Sequence, residues 1–478
     1  MQFLLPLTYA ILFIFLILKI KFFSAGALSK LQLMSLFVLK GIAGVIGYYI
    51  YTYYYPQSDS YLYLEGSKNI FDQFFGNVNS TEVLGWHSNF DDAFYNNSRI
   101  IISINFLIQF ISFNDPFVHI LFFCFFSFIG STALYNAFYK YFPTKKNILI
   151  IGLYLIPSVL FWTSGIYKET IALSCLGLIV YLSDFGLIKS FSMKTIVFLT
   201  VLLILLFFIK IYIFLGLLPL LAINWLIAKL NSTKYFLYYA FIFVSFILIV
   251  HLISKTSNRL NIYQLIADKQ AKAISEAKGG IFLMNETNFI SINCKDSTSL
   301  VMQPDSSYII RTGSQYLSWK LDNMKDTTFV TNSTDVSVYK FLYKVKPANS
   351  VISVNKIEPS FSSIYSSMPL AIASVFFQPT LFSIKNVLQL FSWIENMWLL
   401  LLIVIATLFF DKKILSQKEV LIFCILFALI QFALIGLTTP VVGAMVRYKV
   451  AALPFLFTIC MLCIDGEKFS KKLKRTKD

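Results

Sequence analysis

Charged residues are scarce in this sequence, and acidic ones are the scarcest. Only 13% of the 478 residues are Asp, Glu, Lys or Arg; 24 are acidic and 40 are basic. A water-soluble fold needs a polar surface to cover its core, and 57% hydrophobic residues leave too little of that surface. The composition therefore excludes an ordinary soluble domain and indicates a polytopic membrane protein.

Motifs for metals, disulfide frameworks and nucleotides are also missing. The three histidines are scattered without an HExxH pattern, and the six cysteines contain no two CxxC motifs at the spacing of a zinc site. No GxSxG, Walker A or GxGxxG sequence is present, which argues against an ATP-driven motor within the chain. We expect no cofactor and assign no metal ligand, although a divalent cation at Asp59 stays open.

The net charge of +16 raises the question of a nucleic-acid partner. The Lys and Arg residues, however, occur in short clusters beside apolar segments and form no continuous basic face. Cytoplasmic loops of membrane proteins retain positive residues, and this explains the clusters better. We therefore expect contact with membrane lipid and no nucleic-acid partner.

Long apolar runs are the most abundant feature of the sequence. A run of about 18 to 22 residues is long enough to cross a bilayer as a helix. The candidate spans are 2–18, 33–54, 116–138, 147–164, 168–184, 194–209, 212–228, 235–254, 388–409, 418–437 and 445–463. They predict an all-α polytopic membrane protein with about 11 transmembrane helices.

The basic clusters predict the orientation of this bundle. All of them fall on the cytoplasmic face if the N-terminus lies outside and the C-terminus, with the tail KFSKKLKRTKD, lies inside. The outer face then receives 55–115, the turn at 168–169, segment 255–387 and the turn at 438–449. The apolar segment 100–113 is too short for a span, and we interpret it as interfacial or re-entrant.

Segment 255–387 divides the chain into three parts. It begins with a helix-like stretch that ends at Gly279–Gly280, and alternating runs such as QYLSWKL then indicate short strands. We predict a small extracytoplasmic α+β domain here, between helices 8 and 9. A bundle of eight spans at 1–254 precedes it, and three spans with a basic tail at 388–478 follow it.

Charged residues beside or within the spans are the first candidates for function, because a charge at the centre of a membrane helix costs about 2.5–3.5 kcal/mol. Asp59 follows the second span. In a helix, Asp59 and Tyr63 lie one turn apart on the same face and present a carboxylate and a phenol to the bundle. The alternative is that Asp59 only caps this helix.

The stretch FWTSGIYKETIAL at 161–173 places Lys168 and Glu169 side by side between apolar runs, close to Trp162. A helix N-terminus together with Lys168 is a plausible phosphate site. Glu169 can act as a base, as the partner of a lysine, or as an acid that complements the helix dipole. A polar turn without a function is the alternative.

Further candidates lie in or at the ends of other spans. Lys210 separates two apolar runs and either serves function or extends to the headgroups. Arg447 and Tyr448 precede the last span; Arg binds diphosphate bidentately and Tyr stacks on sugars, with an interfacial anchor as the alternative. Glu395 lies inside a span and is expected to face other helices. Lys40 is expected to extend to the cytoplasmic headgroups.

Taken in order, these features form a pattern. Asp59 is followed by Tyr61 and Tyr63, DDAFYNN at 91–97 holds Asp92 and Tyr95, and Lys168-Glu169-Thr170-Ile171-Ala172 begins a later span. The pattern resembles the Wzy-type and EpsG-type polysaccharide polymerases and, more distantly, the GT-C class of membrane glycosyltransferases. Those families have an Asp-Tyr motif after the second span, an acidic-x-x-Tyr segment and an Arg-Gln-x-x-Ala motif. The resemblance covers about 1–230 and, loosely, 385–463.

The resemblance implies a polymerising glycosyltransferase that takes a sugar or oligosaccharide from an undecaprenyl-linked phosphate on the outer face of a bacterial inner membrane, for envelope polysaccharide synthesis. The implied partners are the lipid-linked sugar donor, a glycan acceptor and other polysaccharide-assembly proteins. The expected catalytic residues are Asp59 and Glu169, and the expected substrate-binding residues are Tyr63, Trp162, Lys168, Lys210, Glu395, Arg447 and Tyr448. A transporter or flippase of a lipid-linked anionic glycan and a non-catalytic envelope assembly subunit remain as alternatives.

Overall fold

The computed structural model describes nearly all of the two apolar parts of the chain and short stretches of the segment between them. The described residues are 4–53, 59–75, 88–188, 190–230, 235–256, 261–278, 281–283, 288–291, 300–302, 308–310, 315–320, 327–331, 338–339, 350–352, 354 and 356–475.

Helices form most of the described chain. Those before residue 280 are α1 (Leu4–Lys19), α2 (Lys21–Ser24), α3 (Lys30–Tyr53), α4 (Asp59–Phe74), α5 (Ser88–Ser112), α6 (Pro116–Tyr141), α7 (Lys146–Tyr154), α8 (Pro157–Trp162), α9 (Lys168–Ser183), α10 (Met193–Ile209), α11 (Ile211–Leu230), α12 (Tyr235–Thr256) and α13 (Ile262–Lys278). Those after residue 350 are α14 (Phe361–Phe377), α15 (Val387–Leu408), α16 (Lys418–Thr438), α17 (Val442–Tyr448), α18 (Leu453–Leu462) and α19 (Gly466–Arg475).

Several of these helices are long and apolar enough to cross a membrane. Among the described residues there are six, or seven if the pair α17–α18, bent by 64°, is one broken span. The six are Lys30–Tyr53, Pro116–Tyr141, Lys168–Gly186, Ile211–Leu230, Val387–Leu408 and Lys412–Thr438. A multi-pass membrane protein is therefore supported, but the count of eleven spans is not. The apolar helices α1 and α10 have only 16 and 17 residues, and a span of about 20 is usual.

Proline accounts for the break in the predicted span 147–164. Helix α7 ends at Tyr154 and α8 begins at Pro157. Proline lacks the N–H that a continuing helix needs and disfavours helical geometry at the residue before it. Ile156 is extended accordingly, with φ −62° and ψ 122°. The short helix α8 and the turn at 163–167 thus replace the second half of that span.

The buried core runs through the helices of both apolar parts. Helices α6 and α9 approach closely because glycines face each other: a Cβ on Gly177 would lie 2.1 Å from the carbonyl oxygen of Gly130. Small residues allow such close contact between membrane helices. Large buried side chains fill the neighbouring layers, among them Phe128, Phe185 and Phe427.

The described residues between 281 and 339 form seven short strands. The first sheet has the order β1-β2-β5-β6 and the second the order β3-β4-β7, both antiparallel. The strands are β1 (Ile281–Leu283), β2 (Asn288–Ser291), β3 (Leu300–Met302), β4 (Tyr308–Ile310), β5 (Gln315–Lys320), β6 (Thr327–Thr331) and β7 (Val338–Tyr339). Strands thus occur where alternating runs indicated them, while an extracytoplasmic α+β domain remains a prediction.

The chain that follows these strands is tied to the start of α17. Val351 forms an antiparallel bridge with Val441. The amide of Ile352 donates to the carbonyl of Pro440 at 2.8 Å, and the amide of Val442 donates to the carbonyl of Ser350 at 3.0 Å. The segment between the two apolar parts therefore returns to the membrane bundle beside the helix that carries Arg447.

Gly44 lets α3 pack directly on the turn after α8. A Cβ at this position would lie 2.1 Å from the carbonyl oxygen of Ser164 and 2.7 Å from Cγ2 of Ile120. We expect Gly44→Val to destabilise the protein by about 1–3 kcal/mol or more, because backbone cannot move aside as a flexible side chain can. Thermal unfolding of the detergent-purified protein measures this loss.

Gly41→Val is the matched control for that substitution. Gly41 lies one turn earlier on α3, and its added Cβ would meet only Cδ2 of Leu121, at 4.0 Å. Both variants change helix propensity equally, so the difference between them isolates the contact with Ser164. Equal melting temperatures for Gly44→Val and Gly41→Val would refute this packing.

Candidate functional site

Four charged side chains from distant parts of the chain meet in one place. Nη1 of Arg447 donates a hydrogen bond to Oδ2 of Asp59 at 2.6 Å, and its Nε lies 2.9 Å from Oε2 of Glu169. Nζ of Lys210 lies 2.8 Å from Oε1 of the same glutamate. We call Asp59, Glu169, Lys210 and Arg447 the charge cluster; the structure brings all four predicted residues together.

Interruptions of the helices position these groups. Asp59 is the first residue of α4, and from this position it also forms the ion pair with Arg447. Glu169 lies in the first turn of α9, after a turn in which Oγ1 of Thr170 donates to the carbonyl of Gly165 at 2.7 Å. Lys210 is the non-helical residue between α10 and α11, with φ −149° and ψ 81°. Glu169 and Lys210 thus lie at breaks between apolar helices, where their charges turn toward the interior of the bundle.

Exposure differs strongly within the charge cluster. The side chains of Glu169 and Lys210 are 5% and 9% exposed, whereas that of Asp59 is 42% exposed. A buried charge needs a partner because its desolvation is costly, and Glu169 has two. Lys210 therefore does not extend to the headgroups, which was one of its two interpretations. Asp59 is the acid in the cluster that a ligand can reach.

Aromatic rings surround the two cations of the cluster. Nζ of Lys210 lies 4.1 Å from the centroid of the Tyr448 ring. Cζ of Arg447 lies 5.6 Å from the ring centroids of both Trp162 and Tyr167. Such cation–π contacts contribute about 0.5–2 kcal/mol each. Trp162 and Tyr448 were predicted at the site, whereas Tyr167 was missed although it directly precedes Lys168.

Lys168 and Tyr63 lie beside the charge cluster. Nζ of Lys168 is 6.0 Å from the centroid of the Tyr63 ring. Tyr63 is 1% exposed, and burial raises the pKa of its phenol well above the ordinary value, so the side chain stays neutral and can donate a hydrogen bond. Asp59 and Tyr63 occupy one helix, as the i, i+4 spacing predicted. A phosphate site at Lys168 stays a prediction.

Glu395 lies apart from the charge cluster. It is 3% exposed, and its Oε2 accepts a hydrogen bond from the amide of Ser158 at 2.8 Å. The expectation that it faces other helices is therefore met. Close by, the fully buried Lys449 donates to Oδ1 of Asn396. Lys449 directly follows the predicted pair at 447–448, but its burial could not be inferred from its position near the end of a span.

The position of the Lys40 side chain differs from the one predicted from the sequence. It was expected to extend to the headgroups, but it is 4% exposed and donates to Oγ1 of Thr163 at 2.8 Å. A hydroxyl in the turn after α8 offers this lysine a partner inside the bundle. The broken span supplies that turn, and a continuous helix at 147–164 would not. The side chains of Asp92 and Tyr95 lie outside the described residues.

A cavity of about 750 Å³ adjoins the charge cluster. Arg447, Tyr448 and Trp162 form one part of its wall, and Ser158 and Ser392 are among the polar residues of another. This volume lies within the range of about 300–1,000 Å³ typical of pockets that bury a small organic ligand. The predicted arginine and its two neighbouring aromatic residues therefore line a space that a ligand can enter.

An apolar part of the cavity wall reaches the outer surface of the bundle. Ile46 and Ile50 of α3 and Leu388 and Phe391 of α15 line it. Ile46 is 51% exposed and Phe391 is 61% exposed. The cavity therefore reaches the surface beside α3 and α15, which are both long and apolar enough to span a membrane. A smaller apolar cavity of about 270 Å³ lies between α10 and α11 and includes no residue of the charge cluster.

Comparison with known proteins assigns no family. No protein-family model matches the chain, and no curated protein or solved structure matches it either. The resemblance to polysaccharide polymerases therefore remains a prediction from the motifs. Among the described residues, no three His, Cys, Asp or Glu side chains lie close enough to hold a metal ion together. The charge cluster and the adjoining cavity are thus the basis for a functional proposal.

Proposed function

We propose that the protein is a membrane glycosyltransferase of the polysaccharide-polymerase kind, which takes a sugar or oligosaccharide from a polyprenyl-phosphate carrier. One observation carries this proposal: the cavity has a cationic, aromatic wall at Arg447 and, beside it, exposed apolar wall residues on α3 and α15, two helices long and apolar enough to span a membrane. An anionic head joined to a long apolar tail suits both walls at once. Polyprenyl-linked glycans belong to this class of amphiphile.

Arg447 is the group proposed to bind the carrier phosphate. A guanidinium matches two phosphate oxygens at once, and charge-assisted hydrogen bonds are stronger than neutral ones. Lys168, Lys210 and Arg447 supply three positive charges near the site, while Asp59 and Glu169 supply two negative charges. The excess of one positive charge favours an anionic ligand. As the phosphate leaves, this charge stabilises the negative charge that develops on it.

Asp59 is proposed as the general base for transfer. The acceptor hydroxyl oxygen attacks the anomeric carbon and forms the new C–O bond, while the bond between that carbon and the phosphate oxygen breaks. The electron pair leaves with the phosphate, and the proton of the hydroxyl passes to the carboxylate of Asp59. Glu169, which was expected to be catalytic, is instead proposed to position Arg447 and Lys210, because a carboxylate held between two cations is a weak base.

The apolar wall is proposed to hold the carrier tail. Ile46 and Ile50 on one side and Phe391 on the other would contact the isoprenoid chain where it leaves the cavity for the bilayer. Membrane lipid is thus part of the binding site. The proposal includes a bacterial inner membrane with the N-terminus outside, a glycan acceptor, and other polysaccharide-assembly proteins as partners.

A transporter of lipid-linked anionic glycans is the second candidate. Two interrupted helices, α8 and the bent pair α17–α18, lie beside the cavity, and transporters often build substrate sites from such helices. Purified protein in liposomes separates the candidates. A transferase lengthens the glycan on the carrier, whereas a transporter moves the carrier across the bilayer and leaves the glycan length unchanged.

Substitution of Gly443 tests whether this cavity is the site of transfer. Gly443 lies in the cavity wall, and an added Cβ would meet no heavy atom within 4 Å. We expect Gly443→Leu to fill the cavity without a clash and to lower the rate of glycan transfer about tenfold or more, with an unchanged melting temperature. The assay uses purified protein in liposomes with native lipid-linked glycan.

Gly466→Leu is the control, because the added Cβ at Gly466 also meets nothing within 4 Å and this position lies in α19, away from the cavity wall. This variant is expected to transfer at the wild-type rate. A fully active Gly443→Leu protein would exclude the cavity as the transfer site.

A further inference from the structure

Ser392 is an unusual residue of the cavity wall. It lies on α15, is 3% exposed and lines the cavity. Its Oγ is buried and has no hydrogen-bond partner in the described part of the chain. A buried hydroxyl without a partner is costly and calls for an explanation. A ligand in the cavity would provide the missing bond.

Glu395 supplies a second unsatisfied atom next to Ser392. It lies three residues further along α15, so the two side chains share one side of the helix. Its Oε2 accepts from the amide of Ser158, which also lines the cavity, whereas its Oε1 is buried without a hydrogen-bond partner among the described residues. Glu395 itself is not among the residues that line the cavity, so of this pair the Ser392 hydroxyl is the one that a ligand can reach.

The chemistry of this part of the wall differs from that of Arg447. The Ser392 hydroxyl can both accept and donate a hydrogen bond, and the nearby lysine, Lys449, is already bound to Asn396. Arg447 can only donate. The cavity therefore has a cationic part at Arg447 and a neutral polar group at Ser392. A ligand that fits both carries an anion and, separately, a neutral polar group that hydrogen-bonds to the hydroxyl.

We propose that Ser392 forms a subsite for a polar sugar substituent, either a hydroxyl or an acylamino group. The inference rests on the proposed function for the identity of the anion, which is the carrier phosphate at Arg447. It adds that the ring joined to this phosphate is selected by this polar substituent. Ser392 is thus a specificity-determining residue.

Binding of short-chain carriers tests this subsite without any need for turnover. The probes are citronellyl diphosphate without a sugar and citronellyl diphosphate that carries glucose, galactose or N-acetylglucosamine. In wild-type protein, at least one sugar probe is expected to bind about tenfold more tightly than the sugar-free probe. Ser392→Ala is expected to remove this gain and to leave the affinity for the sugar-free probe unchanged.

Two further variants serve as a control and as a substitute for Ser392→Ala. Ser183→Ala is the control, because its hydroxyl is also buried but donates to the carbonyl of Ile179 at 2.6 Å; it is expected to keep the sugar preference and to lose stability. Ser392→Ala is expected to keep its melting temperature, since no bond is lost. If Ser392→Ala does not fold, Ser392→Cys, whose thiol is only a weak donor and a weak acceptor, is expected to lose most of the gain.

Each outcome decides between the subsite and the phosphate site. A sugar preference that persists in Ser392→Ala, or the absence of any preference in wild-type protein, would overturn the subsite and leave the proposed function intact. Arg447→Gln is expected to weaken binding of all probes, the sugar-free one included. Unchanged binding in Arg447→Gln would instead overturn the proposed phosphate site.

Discussion

Asp59→Asn is expected to lower the rate of glycan transfer by about 10²- to 10⁴-fold, the range that a general base contributes. Asparagine keeps an oxygen that can accept from Nη1 of Arg447 but cannot take a proton from the acceptor hydroxyl. Because the Asp59 side chain is 42% exposed and Arg447 retains its contact with Glu169, the fold is expected to survive the change. The loss would therefore be one of chemistry.

The measurement is the rate of glycan extension in liposomes, together with the affinity for the carrier. Asp59→Asn is expected to bind lipid-linked glycan as wild type does. Glu65→Gln, at an exposed position on the same helix, controls for the removal of one negative charge and is expected to be fully active. A transfer rate for Asp59→Asn within tenfold of the wild-type rate would remove the base from the mechanism.

Glu169→Gln is expected to cost about 3–5 kcal/mol of stability, the effect of removing one partner from a buried ion pair. The substitution leaves Lys210 and Arg447 without the carboxylate that both contact, at a position where the side chain is 5% exposed. Arg447 keeps its ion pair with Asp59, so exchange of the lysine as well, in Glu169→Gln/Lys210→Met, removes the cation that has lost its carboxylate. The double variant is therefore expected to be more stable than the single one.

Thermal unfolding of purified protein in detergent measures this order of stability. Asp184→Asn is the comparison, because the partner of Asp184 in its ion pair, Lys140, is 61% exposed. The side chain of Asp184 is 12% exposed, and a pair with one partner in solvent is expected to contribute less than a pair buried on both sides. Asparagine tolerates the positive φ of 50° at this position. Equal losses for Glu169→Gln and Asp184→Asn would show that the charge cluster is not a buried network.

The sequence predicted the site better than the number of spans. Each residue of the charge cluster stands out in the sequence as a charge beside apolar runs. A charge in hydrocarbon is costly whichever residue it pairs with, so such positions can be identified without knowledge of the partner. The i, i+4 spacing of Asp59 and Tyr63 also placed both on one helix. The predicted spans 2–18 and 194–209 already had the short lengths of α1 and α10. Apolar length alone could not show whether such short runs cross a membrane, or that Pro157 divides another run into two helices.

The sequence could not show which charged residues contact each other. Asp59 and Arg447 lie far apart in the chain, and a charge that needs a partner does not indicate which one it has. Lys40 illustrates the same limit, because its partner, Thr163, appears only once the chain turns after α8. The sequence also could not show which residues line the cavity. Nothing in the sequence distinguishes Ser392, since a serine in an apolar helix usually bonds to the preceding turn.

A cryo-electron microscopy structure in nanodiscs with citronellyl diphosphate bound would test the central claim most directly. The account predicts a diphosphate within hydrogen-bond distance of the Arg447 guanidinium and an isoprenoid tail that leaves the cavity between α3 and α15. An empty cavity under conditions where binding is measured, with the ligand held elsewhere on the protein, would contradict it.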